Sequence, residues 1–344
     1  MFLRELTYPP ACAILIPKEL QIMTKIDLIT GILGSGKTTF LLRYARHFIE
    51  KGENIAILEN DFGAVNIDML MLQELKGEHC RLEMIAGGCD ADCHRRRFKT
   101  QLISLGMQHL DRVIVEPSGI FDMDEFFDIL HDSPLDRWFE IGSVLTIADG
   151  EMEEQLPPQM EYLLGSESAC CGKLIISKLR GEDGGSAAER ILAHVNRALE
   201  GIRCDRRLSL RDVCAKDWES FTEGDLEIFA GAGYRGSSYV KKFSPGDIES
   251  SVHYFMHIRI PQESIAGLIR DIMSDGSCGR IFRIKGALPL EKGWLKINAT
   301  HEKTETAPVE EGQSVLIVIG DGLSRERIDS YLKPLNTDPG YVSI

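Results

Sequence analysis

Base is scarce relative to acid: 39 Lys and Arg stand against 53 Asp and Glu, a formal charge of −14 over 344 residues. Without surplus cations the chain cannot displace the counterions of a nucleic-acid backbone, so nucleic acid is excluded as its main partner. Arg95-Arg96-Arg97, a dense basic run, reads as the solvated start of a helix. Long apolar runs are missing too: none approaches the roughly 20 residues that cross a bilayer, so neither a transmembrane helix nor a membrane partner is expected. There is no internal repeat, no low-complexity tract and no second cysteine pair at zinc-finger spacing.

What is present suits a globular chain with room for two domains: 43% apolar and 27% charged residues. Its nine cysteines, in a chain that reads as cytoplasmic, are expected to be thiols or metal ligands rather than disulfides. Cys12, Cys80, Cys204, Cys214 and Cys278 are isolated and, with Cys170-Cys171, read as small buried hydrophobes. Residues 1–22 read as an N-terminal extension, since Pro9, Pro10 and Pro17 break the apolar patch Ala11–Ile16 and Met23 is itself a natural start.

The most informative segment is Gly31-Ile-Leu-Gly34-Ser35-Gly36-Lys37-Thr38-Thr39, which follows the apolar run Ile26–Ile29 and opens into a helical pattern from Phe40 to Phe48. A G-x-x-x-x-G-K-[ST] loop between strand and helix is built to hold a nucleoside triphosphate. Its glycines let main-chain N–H groups close on phosphate oxygens, and the helix turns its positive end toward the anion. Gly31, Gly34, Ser35, Gly36 and Thr39 are read as the cradle. Lys37 supplies a point charge to the β/γ-phosphates, and Thr38 a hydroxyl for Mg²⁺.

Further strand-like runs at Ile55–Leu58, Cys80–Ile85, Arg112–Val115, Ser143–Ile147 and Lys173–Ile176 alternate with helical stretches such as Cys93–Leu110. The pattern predicts an α/β domain over residues 23–230 with a doubly wound, mostly parallel sheet. Gly31, Asn60, Gly87, Glu116, Asp149 and Ser177 should lie just beyond the strand ends and gather on one carboxyl edge, where such sheets bind ligands. Residues 231–249 read as a Gly-, Ser- and Lys-rich linker. Residues 250–344 read as a smaller α+β domain with strands at Tyr254–Ile260, Gly279–Lys285, Gly293–Ile297 and Ser314–Ile319 and helices at Ser264–Met273 and Arg325–Leu335. His253 and His257 fall in an alternating segment and read as ordinary histidines.

Three segments add chemistry. Glu59, Asp61 and Asp68 follow the second strand on a loop that should face the phosphates, and such acids are costly to bury without cations. Glu116-Pro117-Ser118-Gly119 puts a carboxylate at a strand tip to orient Mg²⁺ and its waters, with Gly119 offering an amide to the γ-phosphate. Gly87-Gly88-Cys89-Asp90-Ala91-Asp92-Cys93-His94 offers thiol, carboxylate and imidazole groups of the kind that hold Zn²⁺. A helix start capped by Asp90 or Asp92, with incidental cysteines, is the alternative for that segment.

Taken with Arg283-Ile-Lys-Gly286, these motifs in this order resemble the CobW-like branch of the P-loop GTPases, a group of metallochaperones and maturation factors. The resemblance spans roughly residues 24–335. It implies a P-loop GTPase domain followed by a small CobW-type C-terminal domain, and slow GTP hydrolysis coupled to delivery of Zn²⁺ or Co²⁺ to a client protein. It further implies a metal set of Cys89 and Cys93 completed by Asp92, Glu59 or His94, with Asp61 shorter by one methylene than the family's usual Glu. The family's C-x-C-C loop is altered here, because Ala91 and Asp92 replace two of its positions and Cys93 falls one residue late. Ser177 and Lys178 open the base-reading segment, but Arg180 stands where the family places an Asp that accepts from guanine, and a guanidinium has no acceptor. The choice between GTP and ATP stays open, with Asp183 a substitute only if that loop is rearranged. So does the choice between metal delivery and two alternatives: a nucleotide-dependent maturation factor without metal, and a nucleotide-responsive binding module. Oligomeric state is not specified.

Overall fold

Ile26, Leu28, Ile29, Val113, Ile114 and Val115 are wholly buried, and strands covered on both faces in this way belong to a parallel sheet between helix layers. The computed structural model describes residues 23–343 apart from 33, 62–71, 87–90, 118–122, 180, 182, 244–251, 301–303 and 310–311. Its first sheet contains β1 (Thr24–Thr30), β2 (Ile55–Asp61), β3 (Cys80–Ala86), β4 (Arg112–Pro117), β5 (Phe139–Asp149), β6 (Lys173–Ser177) and β7 (Val213–Ala215). They lie in the order β3-β2-β4-β1-β5-β6-β7, and every pairing is parallel.

Helices cover both faces, as doubly wound sheets require. On one face α1 (Lys37–Glu50) and α7 (Glu223–Ala230) set Phe40, Tyr44 and Phe229 over Ile29, Ile57 and Ile114. On the other, α2 (Ala91–Gly106), α3 (Met123–His131), α5 (Pro158–Ala169) and α6 (Gly184–Gly201) set Phe98, Phe126, Leu163 and Ile191 over Leu28, Leu58 and Val115. The short α4 (Leu135–Trp138) leads into β5.

The second sheet is antiparallel. It comprises β8 (Val252–Met256), β9 (Arg280–Pro289), β10 (Trp294–Ala299), β11 (Thr304–Val309), β12 (Val315–Asp321) and β13 (Val342–Ser343), in the order β11-β10-β9-β12-β8-β13. Its core forms under α8 (Gln262–Ser274) and α9 (Arg325–Leu332), whose Leu268, Ile269, Ile328 and Leu332 meet Phe255, Ile284 and Leu316. The architecture is thus the expected wound α/β sheet followed by a smaller α+β unit.

Several expected boundaries move. Asn60, Glu116, Asp149 and Ser177 lie within strands instead of beyond them, because β2 and β4 keep pairing through Glu59↔Glu116 and Asn60↔Pro117, and β5 and β6 through Asp149↔Ser177. The strand expected to reach Ile260 stops at Met256, where His257 takes φ 55° and turns the chain. The last helix ends at Leu332, three residues early. In the stretch read as a linker, Val144 N–H donates to the Gly233 carbonyl and Val240 N–H to that of Ile202, while Tyr239 and Phe243 pack on the first core. The extension 1–22, Gly87 and Asp68 lie outside the described residues.

Candidate functional site

The loop from Gly31 to Gly36 leaves β1 and enters α1 through Gly36, which takes φ +100°, a left-handed backbone that disfavours any side chain. The Trp218 ring also stands 3.0 Å from where a Cβ on Gly36 would lie. Lys37 is buried and donates from Nζ to the Gly31 carbonyl at 2.6 Å, folded back along the loop that it is expected to complete with phosphate. Ser35 is buried, and Thr39 is exposed on the first turn of α1. From the end of β6, two strands away, Ser177 Oγ donates to the Ser35 carbonyl at 2.6 Å. Lys178 Nζ donates to the Gly34 carbonyl at 2.9 Å and pairs with Asp149. The strand tips and the loop are therefore tied into one corner.

Beneath the start of α1 the side chains become acidic. Thr38 Oγ1 donates to Glu116 Oε1 at 2.9 Å, with both residues buried. The parallel register seats Glu59, also buried, directly beside Glu116 on the same face of the sheet. Two carboxylates and a hydroxyl form an oxygen-only donor set, which suits a hard divalent cation. Thr38, Glu59 and Glu116 are thus the described residues that fit Mg²⁺.

The thiol segment is only partly described. Cys93 lies half-buried in the first turn of α2, and His94 beside it is buried. Burial, with the Arg97 charge adding to it, pushes the His94 pKa down, so the imidazole is neutral at neutral pH. Cys89 and Gly119 lie outside the described residues, as do the side chains of Asp61 and Asp92. Among the described residues no three His, Cys, Asp or Glu side chains cluster closely enough to hold a metal ion. The seven described cysteines form no disulfide with one another, and burial pushes the Cys80 and Cys171 thiols up to about 11, which leaves them un-ionised.

Two contributors escaped the sequence. Glu167, on α5, is fully buried and accepts the Gly31 N–H at 2.8 Å, directly under the loop. Trp218 donates to the Ile176 carbonyl at 3.1 Å and packs edge-on against Phe40, making an aromatic wall beside Gly36. Asp183, considered from sequence as a substitute for the guanine acceptor, accepts from Ser186 N–H and caps α6, so its carboxylate is occupied with the helix end. A Trp directly after a Lys-Asp pair, and a Glu in the buried C-terminal part of a helix, carry no periodic signal that would have singled them out.

Comparison with known proteins agrees with this corner. A protein-family model described as CobW/HypB/UreG, nucleotide-binding domain, matches residues 25–205. Zinc chaperone YeiR of Escherichia coli (strain K12) is 34% identical over 128 residues, 37% of this chain and 38% of that protein. Zinc chaperone YjiA of the same organism is 28% identical over 144 residues, 38% and 42% of the two chains. The chain thus matches well under half the length of these relatives. The crystal structure of Zn(II)-bound YjiA GTPase from E. coli covers 92% of this chain and 99% of its own, at 17% identity and a TM-score of 0.37. The family model spans more than half of the 344 residues and contains the phosphate loop, Glu59, Glu116 and Ser177. The chain belongs to the CobW/HypB/UreG family.

Proposed function

We propose that this chain is a slow P-loop nucleoside triphosphatase of the GTPase class that couples Mg-nucleotide binding and hydrolysis to the binding of Zn²⁺ or Co²⁺ and its delivery to a client protein. The observation that carries the reading is the buried Thr38–Glu116 hydrogen bond directly below a phosphate loop whose Lys37 is already turned inward. Lys37 orients and neutralises the phosphates, Thr38 and Glu116 hold Mg²⁺, and Gly119 supplies an amide to the γ-phosphate. Bound Mg²⁺ supplies charge to the β- and γ-oxygens. Ser177 and Lys178 brace the loop next to the base. Because Arg180 replaces the guanine acceptor and Asp183 is engaged as a helix cap, discrimination between GTP and ATP should be weak. The proposed domain plan is an extension at 1–22, a nucleotide domain at 23–230, a connecting segment at 231–249 and a C-terminal domain at 250–344.

Zinc as cargo is supported by the names of the relatives and by the thiols of Cys89 and Cys93, with Asp92 and Glu59 as harder partners. The first segment past β2 and the loop before α2 leave adjacent strand ends, so a nucleotide-driven change in one reaches the other. The test is competition titration of Zn²⁺ and Co²⁺ against the full chain, free, with Mg-GTP, and with Mg-GDP. The expected result is an affinity change of roughly 5- to 150-fold between nucleotide states, abolished by Cys89→Ser or Cys93→Ser. Metal affinity that is equal in all three states would reject the coupling. Client binding that depends on nucleotide alone would favour a maturation factor without metal.

A further inference from the structure

A cavity of about 430 Å³ separates the phosphate-loop edge from the second domain, with Gly34, Asp149 and Lys178 on one wall and Phe282, Arg283 and Asn298 on the other. Arg283, on β9, reaches across it. Its guanidinium occupies the space that a Cβ on Gly34 would need, and Gly34 itself takes φ +87°. A side chain at Gly34 is therefore excluded twice, by backbone conformation and by the arginine. The arginine is aimed as well as long: its Nε donates to Asn298 Oδ1 at 2.7 Å, and Asn298 Nδ2 in turn reaches Glu305 at 3.4 Å. With Nε fixed, the Nη end is presented to the loop. Lys178 also touches Gly34 and pairs with Asp149.

We propose that Arg283 is a second phosphate-facing cation of this site beside Lys37, supplied in cis by the second domain, and that it links nucleotide state to that domain's position. The inference rests on the nucleotide reading above and deepens it. In hydrolysis, the oxygen of water bonds to the γ-phosphorus as the bond to the β,γ-bridging oxygen breaks. The electron pair stays on the diphosphate, and the water's proton leaves with the phosphate or passes to solvent. Negative charge grows on oxygens held against the loop that Arg283 covers, and a positioned guanidinium stabilises that charge more than it stabilises the ground state. Loss of the γ-phosphate then removes the anion that holds Arg283 down, freeing β9 and its sheet.

The experiment is single-turnover phosphate release from the full chain with Mg-GTP and with Mg-ATP, beside nucleotide affinity and thermal melting. Arg283→Ala should slow release by about 10³-fold, change affinity by less than about tenfold, and regain part of the rate with free guanidinium ion in solution. Arg283→Lys should remain at least about tenfold slow, since an ammonium lacks the planar fork. It keeps the charge and stem, which covers the case where alanine unfolds the second domain. Arg280→Ala, which breaks the exposed Arg280–Glu153 pair between the same domains, should leave the rate unchanged. An Arg283→Ala chain that binds nucleotide and releases phosphate at the parent rate overturns the inference, as does an equal loss in Arg280→Ala, or a parent that binds without turnover. In the first two cases the nucleotide reading stands, whereas binding without turnover leaves only its binding part. A parent that binds neither nucleotide overturns both.

Discussion

Replacing Arg112 with methionine is expected to cost about 3–5 kcal/mol of folding stability, the penalty for stranding a buried charge, and to weaken nucleotide binding with it. Arg112 on β4 meets Asp27 on β1 at 2.5 Å, with the Asp27 side chain fully buried. Asp27 also accepts from Tyr44 of α1 at 2.8 Å and from the Ser143 N–H of β5 at 2.7 Å. One carboxylate therefore joins the strand before the phosphate loop, the helix after it, and both flanking strands. Burial pushes the Asp27 pKa up despite the Arg112 charge and the hydrogen bonds that oppose it. Without Arg112 the carboxyl must take a proton or draw water into the sheet. Urea unfolding of the parent, Arg112→Met and Tyr44→Phe measures this. The tyrosine change should cost only about 1–1.5 kcal/mol, the worth of one ordinary hydrogen bond. Equal stability of Arg112→Met and the parent would show that the pair is not held as described.

The parts of this molecule that were legible in sequence are those where burial is periodic or chemistry is local. The phosphate loop, the six long strands of the first sheet and the two helices of the second unit all satisfy one condition or the other. What stayed hidden has physical causes. β11 reads Thr-Glu-Thr-Ala-Pro-Val and is mostly exposed, an edge strand whose proline needs no ladder partner, so no apolar alternation announces it. β7 is three residues long. The Gly/Ser stretch after α7 is held by backbone hydrogen bonds, to which composition is blind. Asp27 sits inside an apolar run because its partners come from three other elements. Arg283 was visible as part of a motif, yet its seat on Gly34 depends on how two separate sheets meet.

Glu167 yields the second large effect. Its Oε2 accepts from the Gly31 N–H, while Oε1 is buried with no hydrogen-bond partner among the described residues. Burial pushes its pKa up to about 8, against the opposing pull of the Lys37 charge and the Gly31 N–H. The folded chain thus keeps a proton that the unfolded chain loses near its ordinary carboxylate pKa. Stability should fall as pH rises from about 4.5 to about 8 and level off above, at up to about 1.4 kcal/mol per pH unit. Glu167→Gln keeps an acceptor for Gly31 and has no charge to desolvate. It should match the parent near pH 4.5 and exceed it by about 2–4 kcal/mol at pH 8.5, read as urea midpoints at the two pH values. Nucleotide acts on the same group. Phosphates that draw Lys37 away from the Gly31 carbonyl remove the cation that lowers the Glu167 pKa and add negative charge nearby. Binding by the parent should therefore take up a proton around pH 8, and its affinity should weaken above that pH. Calorimetry in two buffers of different ionisation enthalpy will detect the uptake in the parent and its loss in Glu167→Gln. Identical pH slopes for the two chains, in both unfolding and binding, would mean that Glu167 is ionised in the folded protein and does not sense Lys37.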